Sequence, residues 1–212
     1  MIAALVPVKA LAASKSRLFP DLERTAVARL SIAMMTDVVA ALQRVPRLAR
    51  VAVVTPDTEV ARAAAAAGAE ALLRPDPGLN AAVENAGAEL APAAVDGLLV
   101  VLGDVAALTP GDLETLLEAV EAPGAALAPS SDGGTSALLR VPRDVIPARF
   151  GPDSAKRHRE EAERAGVAYR RMALPSLAID VDSARDLEEI LQSGTLGART
   201  RAVLDELGVS TR

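Results

Sequence analysis

The sequence predicts an α/β fold, a three-layer α/β/α sandwich around a mostly parallel sheet, with residues 1–212 forming one domain. Three observations predict it. Short apolar runs such as Ile2–Val8 and Leu98–Leu102 alternate with stretches of helical spacing. Such runs are apolar on both faces, as strands buried between two helix layers must be. Half of the residues are hydrophobic while aromatics contribute 1%, so the core is built from Ala, Val, Leu and Ile, which suits a sheet covered by small-residue helices.

The elements follow in order. Ile2–Val8 reads as a buried first strand, followed by the polar, basic loop KALAASKSRL. Asp21–Gln43 carries helical spacing through Val27, Leu30, Met34, Val38 and Leu42. Val51–Thr55 is a second strand, broken by Pro56-Asp57, and Thr58–Ala67 a helix that Gly68 can end. A brief strand at Ala71–Leu73 precedes the turn-rich PDPGLN and a helix over Asn80–Leu90. Leu98–Leu102 is the strongest strand and ends at Gly103-Asp104; a helix spans Leu113–Val120. Ala125–Pro129 and Ser136–Val141 flank the turn SSDGGT. A charged helix over Ser154–Ala165, a strand over Val167–Met172, a short strand over Leu177–Val181, a helix over Ser183–Leu191 and a last amphipathic helix complete the chain. Right-handed crossovers place the loops after parallel strands at one sheet edge, where ligands of such folds bind.

Composition narrows the chemistry. The chain has no cysteine and one histidine, His158, so thiolate sites are excluded and a zinc site is disfavoured. Any metal would sit among carboxylates, which points to a hard cation such as Mg²⁺. A net charge of −5 without a long basic run disfavours nucleic acid as a partner. The N-terminus lacks the basic region of a signal peptide, and no stretch reads as a membrane span, so a cytoplasmic protein is expected. An apolar helix face leaves room for a homodimer.

The polar motifs nearly all follow strands. Lys9, Lys15 and Arg17 crowd the loop after the first strand and could grip a triphosphate; a solvated basic loop explains the same letters. No GxxxxGK[ST] or GxGxxG pattern is present. Asp104 ends a central strand, where a carboxylate can hold a phosphate-bridging metal or simply shape a turn. Asp180 and Asp182, two apart on an expected strand, share a face and could reach the same ion, or cap the next helix. In SSDGGT, Gly133 and Gly134 would let backbone N–H groups approach an anion and Thr135 adds a hydroxyl, or the segment is a plain turn. In FGPDSAKRH, Gly151 makes a turn and Ser154 starts a helix whose N-terminus is a candidate phosphate or carboxylate site. Gly78, Leu79 and Asn80 precede a helix; Asn80 could read a base edge or act as an N-cap. His158 reads as structural sooner than as a general base.

The order PVK, SKSRL, PGLN, GDVAAL, DGGTSALL, FGPDSAKRH and DVDSARDL spans nearly the whole chain. It resembles the phospholactate and phosphoenolpyruvate guanylyltransferases of coenzyme F-420 biosynthesis. The resemblance implies a GT-A-like nucleotidyltransferase fold and transfer of GMP from GTP to a small phosphorylated carboxylic acid, with phosphoenolpyruvate ahead of 2-phospho-L-lactate and 3-phospho-D-glycerate. It further implies that Lys15 and Arg17 hold the GTP phosphates and that Gly78, Leu79 and Asn80 lie by the guanine. Asp104, Asp180 and Asp182 would bind Mg²⁺, and Thr135, Gly151 and Ser154 the acceptor acid. Ala106 stands where the family often has proline, which bears on loop stiffness more than on chemistry. The rival readings are a glycosyltransferase that uses DVD as its metal motif and a nucleotide-binding domain without turnover.

Overall fold

A computed structural model describes residues 1–13, 23–90, 95–193 and 195–209. Lys15 and Arg17 lie outside the described residues. The strands are β1 (Ile2–Pro7), β2 (Leu48–Thr55), β3 (Glu70–Leu73), β4 (Gly97–Val101), β5 (Gly124–Ala128), β6 (Ala137–Val141) and β7 (Ala168–Arg171). The α-helices are α1 (Arg24–Gln43), α2 (Thr58–Ala66), α3 (Leu79–Leu90), α4 (Pro110–Glu118), α5 (Ser154–Ala165), α6 (Ala184–Ser193) and α7 (Ala198–Glu206).

The strands form a seven-stranded sheet in the order β3-β2-β1-β4-β6-β5-β7. Only β6 opposes the rest, pairing antiparallel with β4 and β5. The expected mostly parallel sheet is therefore present, and the turn between β5 and β6 falls at the same edge as the loops after β1 to β4.

The layers follow from the period-2 alternation of each strand. In β1, Ala4 and Val6 enter a cluster with Met35, Val38, Val39 and Leu42 of α1 and Leu113, Leu116 and Leu117 of α4. Ala3 and Leu5 face the other way, onto Val83, Ala86 and Leu90 of α3 and Ala162 of α5. A third cluster joins Leu30 and Met34 of α1 to Ala106, Ala107, Val181, Leu187, Ile190 and Leu204. The C-terminal helices thus brace the loop that follows β4.

Two expectations are corrected. Leu177–Val181 is not a strand: Pro175–Leu177 is a 3-10 turn and the chain beyond it is irregular. The run is apolar because Leu177 is buried in the main cluster and Val181 in the C-terminal one, and not because it pairs in the sheet. The reading that no stretch suits a membrane span also fails on length and composition. α1 has 20 residues and contains an 18-residue window with a mean hydropathy of 1.5, 61% of it buried. Its apolarity has a packing cause, since one helix feeds both the sheet cluster and the C-terminal cluster.

Candidate active site

A cavity of about 250 Å³ opens at the carboxyl ends of β1 to β4. Lys9 follows β1, Thr55 ends β2 and Pro56 follows it, Arg74 to Asp76 follow β3, and Gly103-Asp104 follow β4; all line the cavity. Ser31 and Met34 of α1, Leu79 and Ala82 of α3, and Asp180 and Asp182 complete the wall. This is where an open parallel sheet binds ligands, because successive crossovers leave a crevice above the strand ends.

Backbone bonds assemble the acidic corner. The Val181 N–H donates to the Asp104 carbonyl at 3.2 Å, which stitches the loop after β4 to the segment carrying Asp180 and Asp182. The Ala106 N–H donates to the same carbonyl at 3.0 Å, and the Gly197 N–H donates to the Ala106 carbonyl. Burial pushes the Asp180 carboxyl up to about 7, with the negative charge of Asp104 adding to the effect. Asp182 is exposed and stands just before α6, whose start is closed by a capping box: the Ser183 N–H donates to Asp186 Oδ2 at 2.6 Å and the Asp186 N–H to Ser183 Oγ at 3.3 Å. DVD therefore does not present two carboxylates from one strand face. Asp180 is the inner group and Asp182 the rim.

Oxygen donors alone, with one carboxyl raised by burial and by its neighbour's charge, suit a hard cation. Among the described residues no three carboxylate or imidazole side chains gather closely enough to hold an ion by themselves. The expected Asp104–Asp180–Asp182 trio is accordingly not preassembled. Two carboxylates still fit Mg²⁺, which commonly takes one or two from protein and completes its shell with water and substrate phosphate.

The residues expected for the acceptor form a second cluster beside this corner. Thr135, Ser154 and His158 are all buried. The Arg149 N–H donates to His158 Nε2 at 2.8 Å. That bond makes Nε2 the acceptor, so the neutral ring carries its proton on Nδ1 and donates it to Thr135 Oγ1 at 3.2 Å. Thr135 Oγ1 also lies 2.8 Å from Ser154 Oγ. Burial, together with the charges of Arg140, Arg157 and Arg149, lowers His158 to about 4, so the ring is neutral near pH 7. Gly151, at φ +115°, turns the chain into α5 and packs under the Arg157 guanidinium. The Ala155 N–H donates to the Gly133 carbonyl at 3.3 Å, joining the DGGT turn to this helix start. Thr135, Gly151 and Ser154 are thus brought together, but none of them lines the acidic cavity.

At the far end Leu79 lines the cavity and Gly78, at φ +92°, makes the turn before it. Asn80 is engaged elsewhere: its Nδ2 donates to the Phe150 carbonyl at 3.2 Å and its Oδ1 accepts the Phe150 N–H at 2.7 Å. The side chain ties α3 to the FGPDS loop, which is why it does not face the cavity. Sequence reasoning passed over Thr55, Arg74 and Asp76, although each sits at or just after a strand end. Asp57 also escaped notice; it caps α2 and accepts the Leu11 N–H at 3.0 Å, fixing the segment after Lys9.

The family model described as "Guanylyl transferase CofC like" matches residues 2–212. The phosphoenolpyruvate guanylyltransferase of Sphaerobacter thermophilus is 37% identical over 200 residues, covering 92% of this chain and 95% of that protein. The phosphoenolpyruvate guanylyltransferase of Nocardia farcinica is 39% identical over 219 residues, covering 99% and 93%. Among solved structures, CMP:2-keto-3-deoxy-manno-octonic acid synthetase complexed with CTP shares the fold at a TM-score of 0.59 and 18% identity, covering 92% of this chain and 99% of that one. A nucleotidyl transferase from Methanothermobacter does so at 0.65 and 19%, covering 91% and 99%.

Proposed function

The chain belongs to the CofC-like guanylyl transferase family, and from that premise we propose that it transfers GMP from GTP to phosphoenolpyruvate with release of pyrophosphate. We place that reaction in coenzyme F-420 biosynthesis and in the cytoplasm. The observation that carries the reading is the cavity at the strand ends, which Lys9, Asp104 and Asp180 line together. Phosphoenolpyruvate is preferred over 2-phospho-L-lactate and 3-phospho-D-glycerate because it is the acceptor in the relatives' names.

Both reactants are anions, so the protein's task is alignment and charge neutralisation. A phosphate oxygen of phosphoenolpyruvate attacks the α-phosphorus of GTP. The bond from that phosphorus to the oxygen bridging towards the β-phosphate breaks in line, and that oxygen leaves with the electron pair as pyrophosphate. The attacking oxygen is already ionised near neutral pH, so no protein base is needed and His158 can stay a neutral scaffold. Asp104 and Asp180 would hold Mg²⁺, with Asp182 at the rim. A bound ion there would supply positive charge that offsets the repulsion between the two anions. Lys9, Lys15 and Arg17 stabilise the charge on the leaving pyrophosphate. Gly78 and Leu79 pack by the guanine, and Asn80 supports them through Phe150. Thr135, Gly151 and Ser154 shape the acceptor end.

A pyrophosphate-release assay with GTP, Mg²⁺ and each of the three acids tests this reading. Phosphoenolpyruvate should give the highest kcat/KM. Release with none of the acids would refute guanylyl transfer, and a higher kcat/KM with 2-phospho-L-lactate would refute the acceptor.

A further inference from the structure

We propose, resting on the guanylyl-transfer reading, that the Ser31 hydroxyl is a ligand-binding group that donates a hydrogen bond to a phosphate oxygen of the nucleotide at the acidic corner. Ser31 lies on α1, outside every loop motif that the sequence singles out. It is 6% exposed, and its Oγ has no hydrogen-bond partner among the described residues. A serine inside a helix has an easy remedy, since its hydroxyl can rotate onto the carbonyl four residues back. Two other helical hydroxyls show it: on α1 Thr36 Oγ1 donates to the Ile32 carbonyl at 2.7 Å, and on α4 Thr115 Oγ1 donates to the Gly111 carbonyl at 3.0 Å. Ser31 does not take that bond and instead lines the cavity. Ser136 Oγ is likewise buried without a partner among the described residues, but Ser136 is not part of the cavity wall.

Its neighbours place the hydroxyl. Leu30 and Met34, flanking Ser31 on α1, pack with Ala106 and Val181, each within two residues of Asp104 or Asp180. Met34 shares the cavity wall with Ser31 and both aspartates. A buried donor without a partner is costly in the unliganded protein and gains its bond only when a ligand arrives. At a corner walled by carboxylates, a neutral donor suits a phosphate oxygen and adds no charge that would compete with a bound cation.

Ser31→Ala separates this role from a structural one. The quantities read are the thermal midpoint of the unliganded protein and its affinity for GTP with Mg²⁺ by titration calorimetry. A midpoint equal to or above that of the wild type, with about tenfold weaker GTP binding, is expected. Unchanged GTP affinity overturns the assignment, whatever the midpoint does. Should both midpoint and affinity fall, near-isosteric Ser31→Cys decides: recovery of the midpoint alone supports the role, and recovery of both, or of neither, overturns it. The wild type serves as the control for the premise. If it fails to bind GTP with Mg²⁺, guanylyl transfer and the role of Ser31 fall together; if it binds and Ser31→Ala matches it, only Ser31 is reassigned.

Discussion

Thr135 carries more of the site's order than its size suggests. Its hydroxyl meets Ser154 Oγ and His158 Nδ1 inside a buried cluster, and the Arg149 N–H fixes the other ring nitrogen. Thr135→Val keeps the shape but strands the Nδ1–H and a serine hydroxyl. An unfolding titration should show a loss of about 1–3 kcal/mol, while Thr135→Ser should lose far less. His158 gives the cluster a pH signature. Its folded value of about 4 lies below the ordinary 6.5, so its contribution is fully present above about 6.5 and is lost as pH falls towards 4. The size is on the order of 3 kcal/mol. Thermal midpoints should therefore drop across that window, and His158→Gln should flatten the slope, because an amide oxygen can still accept the Arg149 N–H without titrating.

Among the elements, α7 depends on a cap supplied from another helix. Gly197 offers no capping side chain, and Asp37 of α1 takes the role by accepting the Thr200 N–H at 2.8 Å, the Thr200 hydroxyl at 2.7 Å and the Arg199 N–H at 3.2 Å. A Cβ at residue 197 would overlap the Asp37 carboxylate. Asp37→Ala should cost about 1–2 kcal/mol in a denaturant titration, and Gly197→Ala should be destabilising too, through the clash and the displaced cap. The same elements show what the letters disclosed. α5 begins at Ser154 and ends at Ala165 as its charge pattern and Gly166 imply. α4 begins earlier than its apolar residues suggest, because Thr109 caps it and Pro110 opens it. Leu177–Val181 misled because apolar residues bridging two clusters look like a strand when only one dimension is visible. Asn80 looked like a base reader because nothing local announces Phe150, seventy residues away. Ser31 was silent for a related reason: a lone serine among helical apolar residues shows no pattern until the cavity is seen beside it.

For the whole molecule, the strand order brings loops from distant parts of the chain to one edge, and the C-terminal helices clamp the loop after β4 from behind. The mostly parallel sheet was legible from apolar runs between helical stretches, and the guanylyltransferase relationship from the order of its motifs. The finer arrangement was not: His158 joins Thr135 and Ser154 in a buried cluster outside the cavity wall, and of the expected aspartates Asp180 is the inner group while Asp182 is exposed at the rim. On this account the sheet edge works by bringing two anions together over Asp104 and Asp180. The most direct test is the rate of pyrophosphate release by Asp104→Asn with GTP, phosphoenolpyruvate and saturating Mg²⁺, read beside its thermal midpoint. The account predicts a rate lower by on the order of a hundredfold or more in a protein that melts close to the wild type; a near-normal rate would contradict it.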